Sequence, residues 1–203
     1  MKITRCANAG IILEIDNISI LLDGVCQKLD PYYETPRCVK DDILKNIPDL
    51  VAFTHKHPDH YDEEFENAVK DKTIVLTPDN ARNIELCSVE IKPVETRHIG
   101  VYKIEHTSFV IKGSKCVWFL GDASPLGIKK MLEKPDVICA PFAYANTEFS
   151  FNGLKKYGAE KIIILHMPIE EKDTLNTMQT VKEVVKDDSS VCILQMGQTI
   201  EIN

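Results

Sequence analysis

Pairing signals are missing from the cysteines of this chain: seven stand at positions 6, 26, 38, 87, 116, 139 and 192, with no C-x-x-C among them. An odd number without paired spacing argues against a disulfide scaffold or a dithiol redox motif and suits mostly buried thiols in a reducing compartment. Long apolar runs are also missing, and nothing approaches the length needed to cross a bilayer. The stretch MKITRCANAGIILEIDNISILLDG lacks the continuous core of a signal peptide, because Arg5, Glu14 and Asp16 interrupt it on a strand-like rhythm. Basic residues are in deficit, 24 Lys and Arg against 31 Asp and Glu for a net charge of -7. With no basic stripe to offset it, that balance argues against coating of nucleic acid or anionic membrane. The expectation is a cytoplasmic protein with a small-molecule substrate, no nucleic-acid or membrane partner, and homo-oligomerisation left open.

Neither internal repeats nor low-complexity segments break up the 203 residues, and at 44% hydrophobic content they fit one domain spanning 1–203. Apolar runs such as GIILEI, SILLD, LVAFT, TIVLT, DVICAPF, KIIILHM and VCILQM read as strands, some joined by turns at Asp16-Asn17 and Lys112-Gly113-Ser114. Between them DEEFENAVKD, DNARNIE, LGIKKMLEK and LNTMQTVKEVVKD read as helices, the first opened by a capping Asp62 and the last with Leu175, Met178, Val181 and Val185 on one face. This order predicts an α/β (α+β) sandwich of two sheets flanked by helices. CQKLDPYYETPRC, with prolines at 31 and 36, reads as a loop at the mouth of a site.

Histidine is scarce, six in all, yet three of the six fall between positions 55 and 60 in VAFTHKHPDHYDEEF, directly behind a short apolar strand. Neutral imidazoles and ionised carboxylates are the usual ligands of zinc and similar ions. Pro58 breaks the extended run, so His55, His57, Asp59 and His60 leave a tight loop from which side chains can reach two neighbouring centres. Asp62, Glu63 and Glu64 are better explained as the favourable first turn of the following helix.

The spacing H-x-H-x-D-H after an apolar strand and Thr54 resembles the signature of the metallo-β-lactamase superfamily. The resemblance implies a four-layered αβ/βα fold and one or two divalent ions, zinc foremost, with manganese or iron as alternatives. It also calls for a later histidine, an aspartate in a Gly-Asp step and a final histidine behind a strand. His98 in VETRHIG, Asp122 in VWFLGDAS and His166 in IIILHMP stand in that order. Carried over, His55, His57 and His98 would hold one ion and Asp59, His60 and His166 the other, with Asp122 bridging. His106 is the other candidate for the third motif; His98 is preferred, leaving His106 as a residue behind the ligands or facing substrate. The compact chain lacks the GHT turn, the C-terminal helical domain of glyoxalase II, the nuclease insertion and a flavin domain, and it resembles the branch of small hydrolases near ascorbate-6-phosphate lactonase.

The function this implies is hydrolysis of an ester-like, lactone or phosphodiester bond by metal-activated water, with Asp59 orienting that water and taking its proton. The alternative is a non-catalytic metal-binding or ligand-sensing protein on the same fold. By their closeness to the motifs, His106, Tyr102 and Asn8 are expected to approach substrate. Selectivity is expected to reside in the loops Cys26 to Cys38 and Ala143 to Gly153, the latter offering Tyr144, Asn146 or Phe149.

Overall fold

The computed structural model describes residues 1–100 and 103–203, so Tyr102 lies outside the described residues. In chain order the strands are β1 (Lys2–Arg5), β2 (Ile11–Ile15), β3 (Ile18–Leu22), β4 (Leu50–Ala52), β5 (Ile74–Leu76), β6 (Ile84–Leu86), β7 (Val89–Glu95), β8 (Thr107–Lys112), β9 (Cys116–Phe119), β10 (Val137–Pro141), β11 (Lys161–Leu165), β12 (Val191–Ile193) and β13 (Thr199–Glu201). The helices are α1 (Arg37–Lys45), α2 (Glu63–Val69), α3 (Glu148–Lys155) and α4 (Thr177–Val185). One sheet runs β13-β1-β2-β3-β4-β5 and the other β12-β11-β10-β9-β8-β7-β6.

Each sheet is antiparallel on one side and parallel on the other. In the first, β2 and β3 form a hairpin and β3, β4 and β5 run parallel. Its turn residues, Asp16 at φ 50° and Asn17 at φ 64°, both occupy the left-handed region, the geometry that lets a two-residue loop follow the twist of its strands. In the second, β8 and β9 are antiparallel while β9, β10, β11 and β12 are parallel.

Alternation along the short central strands sorts their side chains into layers. Leu50 and Ala52 face the other sheet, in a core shared with Ile11, Leu13, Phe109, Val117, Phe119 and Cys139. Val51 and Phe53 face the opposite way, against Ile43 of α1 and Phe65 and Val69 of α2. On the far side, Trp118, Ile138, Ile162 and Ile164 pack on Phe151 and Leu154 of α3 and Val181 and Val185 of α4. Helix, sheet, sheet, helix is the four-layered sandwich expected.

Two segments differ from the expected elements. DNARNIE is no helix: a single 3-10 turn at Pro78–Asn80 precedes β6, because Thr77 and Asn80 close a capping box around Pro78 and the edge strand takes the rest. LGIKKMLEK forms only a 3-10 turn over Gly127–Lys130. Leu175 is exposed ahead of α4 rather than on its buried face. All seven cysteines are free, four of them buried. No helix among the described residues is long and apolar enough to cross a membrane.

Candidate metal centre

The site lies where parallel strands of both sheets reach their C-terminal ends, the edge at which open sheets present ligand-binding loops. From the first sheet, β4 releases His55, His57, Asp59 and His60. From the second, His98 follows β7, Asp122 follows β9 and His166 follows β11. Three local devices aim them. Asp62 caps α2 by accepting the Phe65 N–H at 2.9 Å, so the ligand loop ends promptly in a helix. Gly121 adopts φ 53°, and a Cβ there would stand 2.6 Å from the Thr54 side chain, so only glycine lets the two loops meet. His166 itself sits at φ 62°, an uncommon conformation for a non-glycine residue, pinned where its N–H reaches the Asn8 carbonyl at 3.2 Å.

Three overlapping groups converge so that their ligand atoms lie within 4.8 Å of one another: His55, His57 and His98; His55, His60 and Asp122; Asp59, His60 and His166. Asp122 Oδ2 stands 3.6 Å from His60 Nε2, 3.7 Å from His98 Nε2 and 3.7 Å from His166 Nε2, between the groups expected to form the two centres. Asp59 Oδ2 is 3.1 Å from His166 Nε2.

Among the described residues, His60 Nε2, His98 Nε2, both ring nitrogens of His166 and Asp59 Oδ1 are buried without a hydrogen-bond partner. Buried polar atoms are otherwise almost always paired, and a convergent set of orphaned nitrogen and oxygen lone pairs fits divalent metal.

The network behind these atoms decides which nitrogen each imidazole presents. Fully buried Asp23, at the end of β3, accepts from Thr54 N at 2.7 Å, Thr54 Oγ1 at 2.7 Å and His60 Nδ1 at 2.8 Å. A carboxylate only accepts, so His60 holds a proton on Nδ1 and directs Nε2 to the site. The Thr54 hydroxyl, its hydrogen spent on Asp23, must accept from His55 Nδ1 at 3.0 Å, which leaves His55 Nε2 as an acceptor, facing His57 Nδ1 at 3.0 Å. His98 reaches the same state by donating from Nδ1 to the Ile99 carbonyl.

His106 is not in the ligand groups. Its Nε2 accepts the Asp122 N–H at 3.0 Å and its Nδ1 meets Thr96 Oγ1 at 2.8 Å, a chain continued through Ser108 Oγ to the Leu120 carbonyl. It therefore holds the backbone of Asp122 from behind the ligand groups, while also lining the cavity beside His98.

Electrostatics follow from the burial. Desolvation pushes the His55 imidazolium well below its ordinary pKa, helped by His60 and His106, and pushes His106 down to about 3. Burial acts the same way on His60, but Asp122 and Asp23 outweigh it and hold that ring well above the ordinary value. Asp122 mirrors it: burial raises the carboxyl, and His166 and His60 carry it well below the usual range. A divalent ion held here would take the place of a proton on His60 Nε2.

Some expected residues fall elsewhere. Tyr144 is buried and donates to the Ala123 carbonyl at 2.8 Å, while Asn146 and Phe149 are exposed, so this segment folds as packing and the start of α3. Asn8 is buried beside His166 with its Nδ2 unpaired among the described residues. Asp23 went unrecognised in the sequence, although a lone acid at the end of the apolar strand ISILLDG was its signal.

This fold and site define a class, and the comparisons with known proteins place the chain in it. The model of the beta-lactamase superfamily domain matches residues 2–196, and the chain belongs to that superfamily. It is 24% identical over 152 residues to the UPF0173 protein YddR of Bacillus subtilis, a match covering 66% of this chain. The chain spans 60% of the length of that relative. A possible metal-dependent hydrolase from Veillonella parvula superimposes with a TM-score of 0.75 at 20% identity, covering 100% of this chain and 99% of that one. The isothiocyanate hydrolase from Delia radicum gut bacteria gives 0.73 at 18% identity, with coverage of 100% and 99%. At these identities the likeness to the two structures is one of fold.

Proposed function

We propose that the chain is a metal-dependent hydrolase that cleaves an ester-like, lactone or phosphodiester bond of a small molecule. One centre is assigned to His55, His57 and His98 and the other to Asp59, His60 and His166, with Asp122 shared between them. Zinc suits this mixture of imidazole and carboxylate, and manganese or iron would compete for it. The observation that carries the reading is the convergence of buried, partnerless Nε2 and carboxylate atoms from both sheets.

Bound there, divalent ions supply Lewis acidity, lowering the pKa of water toward neutrality and polarising the oxygen of the bond attacked. The chain's own groups do the rest. Asp59 turns Oδ2 to His166 and leaves Oδ1 without a partner, so Oδ1 is the atom to orient a water and accept its proton. Asp122 Oδ2, near equidistant from three imidazoles, spreads one negative charge over both centres. Asp23 and the Ile99 carbonyl keep Nε2 of His60 and of His98 directed inward.

The test is metal analysis of the purified protein with a hydrolysis panel of aryl esters, lactones, bis-nitrophenyl phosphate and, given the named relative, an isothiocyanate. The wild type is expected to hold one to two equivalents of metal and to cleave one class on the panel. His57→Ala is expected to lose metal and activity together. Full activity in His57→Ala, or in metal-stripped protein, would overturn the reading.

A further inference from the structure

One aromatic side chain packs against a candidate ligand, and no assigned role explains it. Tyr32 sets its ring against His166 in a perpendicular, edge-on contact, with ring centroids 4.3 Å apart and an interplanar angle of 89°. The loop carrying it is tied to the ligand-bearing segments on both sides. Gln27 N–H donates to the Pro58 carbonyl at 2.6 Å and to the Tyr61 carbonyl at 3.3 Å, fixing the loop's start to the segment that holds Asp59 and His60. Asp30 pairs with Lys172, in the turn that follows His166, and the Lys172 ammonium also lies 5.6 Å from the centroid of the Tyr33 ring. Thr35 closes the loop's far end, its N–H donating to the Cys26 carbonyl at 3.1 Å and its hydroxyl accepting from the Cys26 N–H at 2.9 Å.

Among the described residues the Tyr32 hydroxyl takes no side-chain or backbone partner, and unlike the orphaned ligand atoms of the site it is not sealed from solvent, so it is free to meet a ligand. A phenol is protonated at neutral pH, so the hydroxyl is available there as a donor.

We propose that the Tyr32 hydroxyl is a substrate-contacting group, donating a hydrogen bond to a negatively charged oxygen of the carbonyl or phosphoryl group undergoing hydrolysis beside His166. The proposal rests on the hydrolase reading and adds to it a donor that comes from the chain. The hydroxyl keeps its proton and lowers the barrier by being in place where charge develops. It also sets a requirement on the substrate, which must present an oxygen on the His166 side; a purely apolar group there would leave the phenol unpaired.

Tyr32→Phe tests this, because it preserves the ring against His166 and removes only the hydroxyl. Metal content is expected to stay at the wild-type level. Inorganic phosphate, titrated calorimetrically into the metal-loaded protein, is expected to bind about tenfold more weakly. Turnover of the best probe on the panel is expected to fall on the order of 10²-fold in kcat, with KM little changed. Tyr33→Phe, one position along on an exposed ring, serves as the control and stays at wild-type values. Tyr32→Leu, which also loses the ring contact, is expected to bind phosphate no better than Tyr32→Phe. Phosphate affinity and kcat within twofold of wild type in Tyr32→Phe would overturn the proposal, as would a parallel loss of metal, which would make the residue part of the metal scaffold. A wild type that loads metal but cleaves nothing on the panel would overturn the hydrolase reading alone, and the phosphate comparison would still decide the role of Tyr32. A wild type that takes up no divalent ion would overturn both.

Discussion

Replacing Asp23 with asparagine changes one atom and is expected to reverse two imidazoles. In the native chain both oxygens accept, from Thr54 N and Thr54 Oγ1 at 2.7 Å and from His60 Nδ1 at 2.8 Å, inside a fully buried cluster. In Asp23→Asn the remaining oxygen keeps the Thr54 N–H, and an NH₂ group faces the Thr54 hydroxyl and His60 instead. His60 Nδ1 must then accept, and its proton moves to Nε2, the atom that should face metal. The Thr54 hydroxyl, now receiving a hydrogen, donates to His55 Nδ1 and turns that ring the same way. The opposite amide orientation would set NH₂ against the Thr54 N–H and bury two unpaired donors. Restoring both lone pairs for metal sacrifices one hydrogen bond at each ring, about 1–1.5 kcal/mol apiece, so metal affinity should fall on the order of 10²-fold. Fold stability should change much less than in Asp23→Ala, where removing the carboxylate strips three buried donors and costs about 3–5 kcal/mol. Chelator competition measures the affinity and urea unfolding of the metal-free proteins measures the stability. Metal affinity in Asp23→Asn within threefold of wild type would refute the tautomer argument.

Two further outcomes follow from the same neighbourhood. Gly121→Ala combines a φ of 53° with a Cβ set 2.6 Å from Thr54; backbone strain and overpacking together should cost about 2–4 kcal/mol, read as a lowered urea midpoint, and a neutral substitution would show that the loops have slack. His106, depressed to about 3 by burial, binds a proton in the unfolded chain from pH 6.5 downward but not in the folded one. Its contribution to stability is therefore full above pH 6.5 and shrinks as pH falls toward 3, by about 1.4 kcal/mol per pH unit. The stability advantage of metal-free wild type over His106→Gln should accordingly narrow between pH 7.5 and pH 5, and a constant gap would contradict it.

What could be read from the sequence was whatever depends on local order. VAFTHKHPDH pairs an apolar strand with a dense run of ligand-type residues, and both the strand and the loop form as expected. Asp16-Asn17 makes its hairpin, and Asp62 caps its helix. What could not be read depends on partners distant in sequence. His98 and His106 look alike in RHIGVYKIEH, and only the placement of Asp122 shows that one ring faces the centre while the other receives an Asp122 N–H. Asp23 lies 31 positions from Thr54 and 37 from His60, so no window of sequence links them. Likewise α1 and α3 were hidden in segments rich in turn-forming residues: Pro36 sits at the N-cap of α1, where its missing N–H is harmless, and Thr147 caps α3 by accepting the Ser150 N–H at 3.2 Å.

The candidate centre lies on the seam between the two sheets, with His55, His57, Asp59 and His60 supplied by one and His98, Asp122 and His166 by the other. That gives it a kinetic meaning. A complete ligand set exists only after the sheets have docked, so an ion that engages both halves resists their parting more than it hastens their meeting. Its stabilisation should then fall chiefly on the unfolding rate, leaving the refolding rate almost untouched. With an ion in place the seam would act as a latch between the two sheets, one that closes behind the fold.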